Sequence, residues 1–389
     1  MKRLLQIIFI FEIVSTSIIF AQSKVEENIV DMGIIYKKII DFKDTLAINI
    51  LKIDLSKNLY ELRSVKALNT LNRKETTSSM SRSLTDSGYN VIAAINADFF
   101  ESDGELIDNM ISEGKIVKAT KFTDSPFNNF VNSQFAVTDK NKLLIEKFVF
   151  SGYLILPDGT VESINRINSK PDSNSISLYN TFQGDQKKVY PHNWKIFEAE
   201  LNPLSKLGDT LIYKVSISQN DIKNLQGSKE HIILSANNRY AYYLEESIKN
   251  GDSIKVVLNF SPNIKNIRNL VGGWPRLVVD GKNILISNNK VEGVFPRFSE
   301  QKHPRTGIGF SKDSSTVYLI TIDGRQETSS GVTLKEFADI MIQEGVYQGL
   351  NFDGGGSTTM VIKNVVVNHP SDETGEREVG NALVVIRKK

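Results

Sequence analysis

No cysteine occurs among the 389 residues. Thiol nucleophiles, CxxC redox motifs, cysteine zinc sites and disulfide frameworks are thereby excluded. Histidine is scarce: His192, His231, His303 and His369 are the full set, and no HExxH is present, so a histidine-rich metal site has little to draw on. Excess charge is also missing. Lys+Arg 47 against Asp+Glu 45 leaves a net charge of +2, short of the basic excess of a dedicated nucleic-acid binder. Long hydrophobic runs are confined to the start of the chain. There Lys2 and Arg3 precede a mostly apolar stretch from Leu4 to Phe20, interrupted by Glu12, and Ala21-Gln22-Ser23 offers a cleavage point. Residues 1–21 therefore read as a signal peptide, and the protein is expected to be secreted or periplasmic, with no stable membrane span after cleavage; a membrane anchor is the alternative, against which the run is short and carries Glu12.

Hydrophobic residues at 40% and charged residues at 24% are ordinary for a globular protein, with enough Val, Ile, Leu and Phe to bury a sizeable core. Residues 46–55 and 60–65 alternate as strands do, and 78–87 is polar enough for a surface helix. Residues 91–96 form a short continuous apolar run, the pattern of a strand buried on both faces. Residues 254–260 read as a strand. Residues 275–282 read as a strand entering an Asp280-Gly281 hairpin turn. Thr333 and Glu336 make a capping box ahead of an apolar stripe of Leu334, Phe337, Ile340 and Met341, and Gly345 supplies a stop. With strands at 316–322 and 350–352 around that helix, the order strand, helix, strand predicts a βαβ unit and some parallel pairing. The expected fold is α+β: a mixed, partly parallel β-sheet with flanking helices and long inserted loops. Residues 22–85 supply strands and a helix leading into a domain over 86–389.

Three segments place polar residues at the end of an apolar strand: Asn96-Ala97-Asp98, Asp323-Gly324-Arg325 and Asn351-Phe352-Asp353. If the strands lie side by side, these segments share one cleft at the strands' carboxyl ends. The alternative is three ordinary turns, since Asp-Gly is common there. The run Asp353-Gly354-Gly355-Gly356-Ser357-Thr358 is more specific. Successive glycines are costly to order, and they suit a backbone that takes positive φ or approaches a ligand closely, as in an anion-binding nest for a phosphate or an oxyanion. It is neither a Walker loop nor a GxSxG elbow, and no histidine stands out as a base for Ser357. Arg305, in Pro304-Arg305-Thr306-Gly307, could bind phosphate in a bidentate way. Arg377 lies in a polar loop, 370–377, that composition alone assigns to the surface. Asp98, Glu101, Asp103 and Glu105 crowd four carboxylates together, so calcium is conceivable although the spacing is not that of an EF-hand; no other cofactor is expected.

Taken together, Asn96-Ala97-Asp98-Phe99-Phe100, Gly272-Gly273-Trp274-Pro275-Arg276-Leu277, Arg305-Thr306-Gly307-Ile308-Gly309, Asp323-Gly324-Arg325, the 351–358 block and Pro370-Ser371-Asp372 through Arg377 occur in an order that resembles the phosphodiester glycosidase family, from about residue 30 to 387. Asn96-Ala97-Asp98 is a departure, since many members carry glycine in place of the alanine or the aspartate. The resemblance implies a hydrolase that cleaves the bond between a sugar anomeric carbon and a phosphodiester oxygen in a phosphorylated carbohydrate, such as N-acetylglucosamine-1-phosphodiester in a glycan or exopolysaccharide. It implies Arg305 and Arg325 as phosphate clamps and Asp323 and Asp353 as acid/base or nucleophile, with retention or inversion open. Asn96, Thr306, Gly354, Gly355, Gly356, Ser357, Thr358, Ser371, Asp372 and Arg377 would bind substrate. A non-catalytic module for phosphorylated glycans, or a phosphodiesterase that attacks phosphorus in a cell-wall polymer, are the competing readings.

Overall fold

Strands dominate the chain. The computed structural model describes residues 23–123, 130–184, 190–217 and 232–389, with the side chains of 288–290 left out, so the signal-peptide expectation lies outside the described residues. Eight strands form one sheet, in the spatial order Ser23–Asp31, Ile34–Asp41, Leu46–Asp54, Thr316–Ile322, Arg305–Phe310, Gln348–Asn351, Arg276–Val279 and Lys282–Asn283. A five-stranded sheet orders Val365–Val366, Met360–Ile362, Asn90–Asn96, Asn381–Arg387 and Tyr60–Lys66.

These two sheets face one another. Ile34, Leu51, Ile53, Ile308, Leu319 and Leu350 of the larger pack on Leu62, Ile92, Ile95, Met360, Leu383 and Val385 of the smaller. The continuous apolar run at 91–96 is buried on both sides, as its composition required: Ile92 and Ile95 enter that core, while Val91 and Ala94 pack outward with Met80. Met80 belongs to the helix Thr77–Asp86, where the Thr76 hydroxyl accepts from the Ser79 N–H as N-cap. On the far side of the eight-stranded sheet, Leu334, Phe337 and Met341 of the helix Leu334–Gln343 bury against Ile320, Ile322 and Leu277. Its capping box is present, with the Glu336 N–H on the Thr333 hydroxyl at 3.2 Å and the Thr333 N–H on the Glu336 carboxylate at 2.8 Å. The turns at Asp280-Gly281 and Lys363-Asn364 both carry positive φ at their two central residues, as tight hairpins require. A third, thirteen-stranded sheet runs from Leu143–Glu146 at one edge to Val161–Ile164 at the other, and encloses its own core with the helix Arg239–Ser247.

The α+β expectation is corrected by this arrangement. None of the five described α-helices exceeds ten residues, against twenty-eight strands. The eight-stranded sheet is antiparallel throughout. The strands Thr316–Ile322 and Gln348–Asn351 do run the same way, joined by the expected helix, but Arg305–Phe310 lies between them and pairs antiparallel with both. The sequence order around the helix revealed the crossover and could not reveal the inserted strand. Among the described residues, parallel pairing is confined to the short Arg166–Ile167 and Ile176–Tyr179 contact. Strands within residues 23–85 are woven into the same sheets as the rest: Leu46–Asp54 pairs with Thr316–Ile322, and Tyr60–Lys66 with Asn381–Arg387.

Candidate active site

The antiparallel register brings the polar segments together. Arg305 stands opposite Ile322 and Gly307 opposite Asn351, so one strand start and two strand ends share an edge of the sheet. From the facing sheet, Asn96 reaches across. Its amide donates to the Asp353 carbonyl at 2.7 Å, and its side-chain oxygen accepts from the Thr306 hydroxyl at 2.8 Å and the Thr359 N–H at 3.1 Å. The Asp353 N–H donates to the Ala97 carbonyl at 2.8 Å. Asn96 and Thr306 are fully buried, so they hold the glycine run from beneath and do not face its open side.

The glycines are tightly covered. Gly355 has φ +61, and a Cβ there would lie 3.0 Å from Arg325 Nη2. A Cβ on Gly356 would come within 2.2 Å of Arg377 Nη2 and of Asp372 Oδ1, and one on Gly354 within 2.6 Å of the Pro304 carbonyl. Arg377 and Asp372 form a bidentate pair, Nε to Oδ2 at 2.7 Å and Nη2 to Oδ1 at 2.9 Å. Arg325, itself at φ +60 and exposed, thus overlies Gly355, and the Arg377–Asp372 pair overlies Gly356. Burial pushes the Asp353 carboxyl up to about 6, partly offset by the Ser357 hydroxyl, Arg377, the Gly354 N–H and Arg325. The hydroxyls of Thr358, Thr359 and Ser371 are buried without a hydrogen-bond partner.

The other two candidates have different surroundings. Asp323 is buried, with Oδ1 accepting from the Asn368 amide at 3.0 Å and both oxygens receiving the His369 N–H, at 3.1 and 3.2 Å. Burial raises its carboxyl, and the Asn368 and His369 donors hold it back. It ties the 368–377 loop to the sheet edge, and Gln326 adds a bond to the His369 carbonyl at 2.8 Å. Arg305 is 1% exposed and turns away from the loop: Nε donates to the Val332 carbonyl at 3.1 Å, and Nη2 to the carbonyls of Phe298 and Gln301 at 2.9 and 3.0 Å. Burial, and then Arg325, lower it to about 9. Of the proposed residues, then, Asp353, Arg325, Gly354, Gly355, Gly356, Ser357, Thr358, Ser371, Asp372 and Arg377 gather about one loop, and Asn96, Thr306, Asp323 and Arg305 brace it.

Sequence reasoning missed His303, Asn368 and His369. Asn368 and His369 act through an amide and a main-chain N–H, which leave no compositional signal. His303 directly precedes Pro304-Arg305, and its ring Nδ1 lies 3.3 Å from Arg325 Nη2. Three of the four carboxylates weighed for calcium have other surroundings. Glu105 faces Lys118 at 3.4 Å and Lys170 at 3.3 Å, Asp103 accepts from Asn72, and Asp98 is buried beside Asp108, which together with burial holds its carboxyl well above the usual range. Among the described residues, no three Asp, Glu or His side chains are placed to hold a metal ion. No helix there is long and apolar enough to cross a membrane.

The family comparison covers the later of these segments, from Gly272 to Arg377. Residues 206–386 match the family model described as phosphodiester glycosidase. A Bos taurus N-acetylglucosamine-1-phosphodiester alpha-N-acetylglucosaminidase is 35% identical over 80 residues, which are 21% of this chain and 15% of that protein. The likeness to this relative thus spans well under a fifth of its length. Among solved structures, a Synechocystis protein superposes with a TM-score of 0.70 at 18% identity, covering 94% of this chain and 64% of that one. A Burkholderia pseudomallei protein described as exported gives 0.63 at 20% identity, covering 87% and 74%. At these identities the two structures share the fold.

Proposed function

From the premise that residues 206–386 belong to the phosphodiester glycosidase family, we propose that the protein is a hydrolase that cleaves the bond between a sugar anomeric carbon and a phosphodiester oxygen. One observation carries the proposal: a carboxyl raised to about 6 heads a glycine run, with one guanidinium over Gly355 and another over Gly356. Such a loop suits a phosphodiester. Its main chain approaches the anion closely, Arg325 offers a planar fork to the phosphate oxygens, and the unsatisfied hydroxyls of Thr358 and Ser371 are spare donors for a bound ligand.

Asp353 then meets the reacting sugar. As a carboxylate it stabilises the oxocarbenium-like centre or takes the proton of the attacking water. The departing phosphate is already a good leaving group, so one carboxyl of suitable pKa suffices. Asp323 and Arg305 hold the loops in register. The natural substrate is a sugar-1-phosphodiester such as that of N-acetylglucosamine within a glycan or exopolysaccharide, met outside the cytoplasm. The signal-like first 21 residues and the likeness to an exported protein support that location.

The product decides the matter. Incubation with a panel of sugar-1-phosphodiesters should release a free reducing sugar and leave an intact phosphomonoester. Release of sugar-1-phosphate would place attack at phosphorus instead, and saturable binding with no product would make this a binding module.

A further inference from the structure

We propose that His303 is a phosphate-binding residue of this site, locked by Arg325 into the tautomer that presents an Nε2–H donor to an anion. The inference rests on the phosphodiester reading and assigns a role to a residue outside the motifs that suggested it. A guanidinium has only hydrogens to offer, so in the 3.3 Å contact the ring Nδ1 must be the acceptor. The hydrogen of the neutral ring is therefore on Nε2, and no partner among the described residues takes it. The His303 main chain is fixed in turn, pairing with Val332 in both directions at 3.1 and 3.0 Å.

The surrounding charge has one sign. Arg325, Arg305 and Arg297 act on the imidazole, while the neighbouring Lys302 is paired with Glu336 at 4.0 Å. Burial first, and then these arginines, push the imidazole below its ordinary value, so the empty site holds a neutral ring. An anion seated on Arg325 cancels that repulsion. The ring becomes easier to protonate, but a proton on Nδ1 would break the Arg325 contact, so at neutral pH the ring stays in the Nε2–H tautomer and donates to the anion as a neutral group. No covalent step is required of His303; it orients the phosphate so that the glycosidic oxygen leaves from a fixed direction.

The test separates this role from the reaction itself. In nitrogen-15 spectra of the free, labelled protein, with His303→Gln used for assignment, the ring should show the Nε2–H tautomer and a depressed titration midpoint. Inorganic phosphate should raise that midpoint. An Nδ1–H tautomer, or a midpoint that phosphate leaves in place, overturns the proposal whether or not any sugar phosphodiester is hydrolysed. Turnover supplies the second arm. Glutamine places its amide N–H near the position of Nε2 and asparagine near that of Nδ1. His303→Gln should therefore keep kcat/KM within several-fold of the parent, while His303→Asn loses ten-fold or more, mostly in KM. Equal losses in the two variants overturn it. A parent protein with no turnover refutes the glycosidase reading, and the spectra still judge His303.

Discussion

Replacing Asp353 by asparagine keeps the shape of the side chain and removes its charge. In the folded protein the carboxyl is raised from 3.8 to about 6, chiefly by burial. Two units at about 1.4 kcal/mol each put the cost of its ionised form near 3 kcal/mol. The side chain is not wholly enclosed, so solvent screening trims this to about 2 kcal/mol. The sign follows from proton affinity. The folded state binds this proton more tightly than the unfolded chain does, so stability falls as pH rises from about 4 through about 6, and the penalty is complete above about 7. Asparagine carries no such penalty. Urea denaturation of both proteins from pH about 4 to about 8 should show the variant gaining about 2 kcal/mol on the parent across that range. The contribution of Asp323, also raised by burial, is present in both proteins and cancels. The same variant should have lost turnover. A difference in stability that is flat with pH, or one that favours the parent as pH rises, would refute the account of a carboxyl strained by burial.

Three further outcomes are expected. Arg325→Lys should cost about 2–3 kcal/mol in kcat/KM on a sugar phosphodiester and leave a neutral glycoside's residual rate unchanged, because an ammonium cannot reproduce the fork; equal losses on both substrates would place Arg325 in a structural role. Arg305→Met should lower stability by about 3 kcal/mol in denaturant titration, since three main-chain carbonyls, that of Val332 buried, lose a charged donor. Gly356→Ala would drive a methyl group into the Arg377–Asp372 pair, so kcat/KM should fall on the order of 100-fold with only a few degrees lost in melting temperature.

Local elements were legible wherever a short-range rule governs them. The capping box at Thr333 and Glu336, the Asp280-Gly281 turn and the doubly buried run at 91–96 all follow from periodicity or turn chemistry within a few residues. Sheet membership does not. Nothing near residues 316–352 announces that Arg305–Phe310 inserts between two strands that a helix connects, and so the parallel pairing inferred from that order is absent. The site divides in the same way. The glycine run and its neighbours could be found because glycine has a backbone meaning at Gly355, where φ is +61. The direction of Arg305 could not, because an arginine that serves carbonyls and one that serves phosphate look alike in a sequence.

The strand Asn381–Arg387 has a kinetic consequence. It lies inside the five-stranded sheet, between Asn90–Asn96 and Tyr60–Lys66, and its partners in the latter are roughly three hundred positions earlier in the chain. The loop that carries Asp353 is anchored to the far end of Asn90–Asn96. A ribosome-bound chain therefore cannot complete this sheet until residue 387 has emerged, and closure of so long a loop makes the final step slow. Until that strand is available the sheet stays unclosed, and chaperones that hold extended chains should act on it.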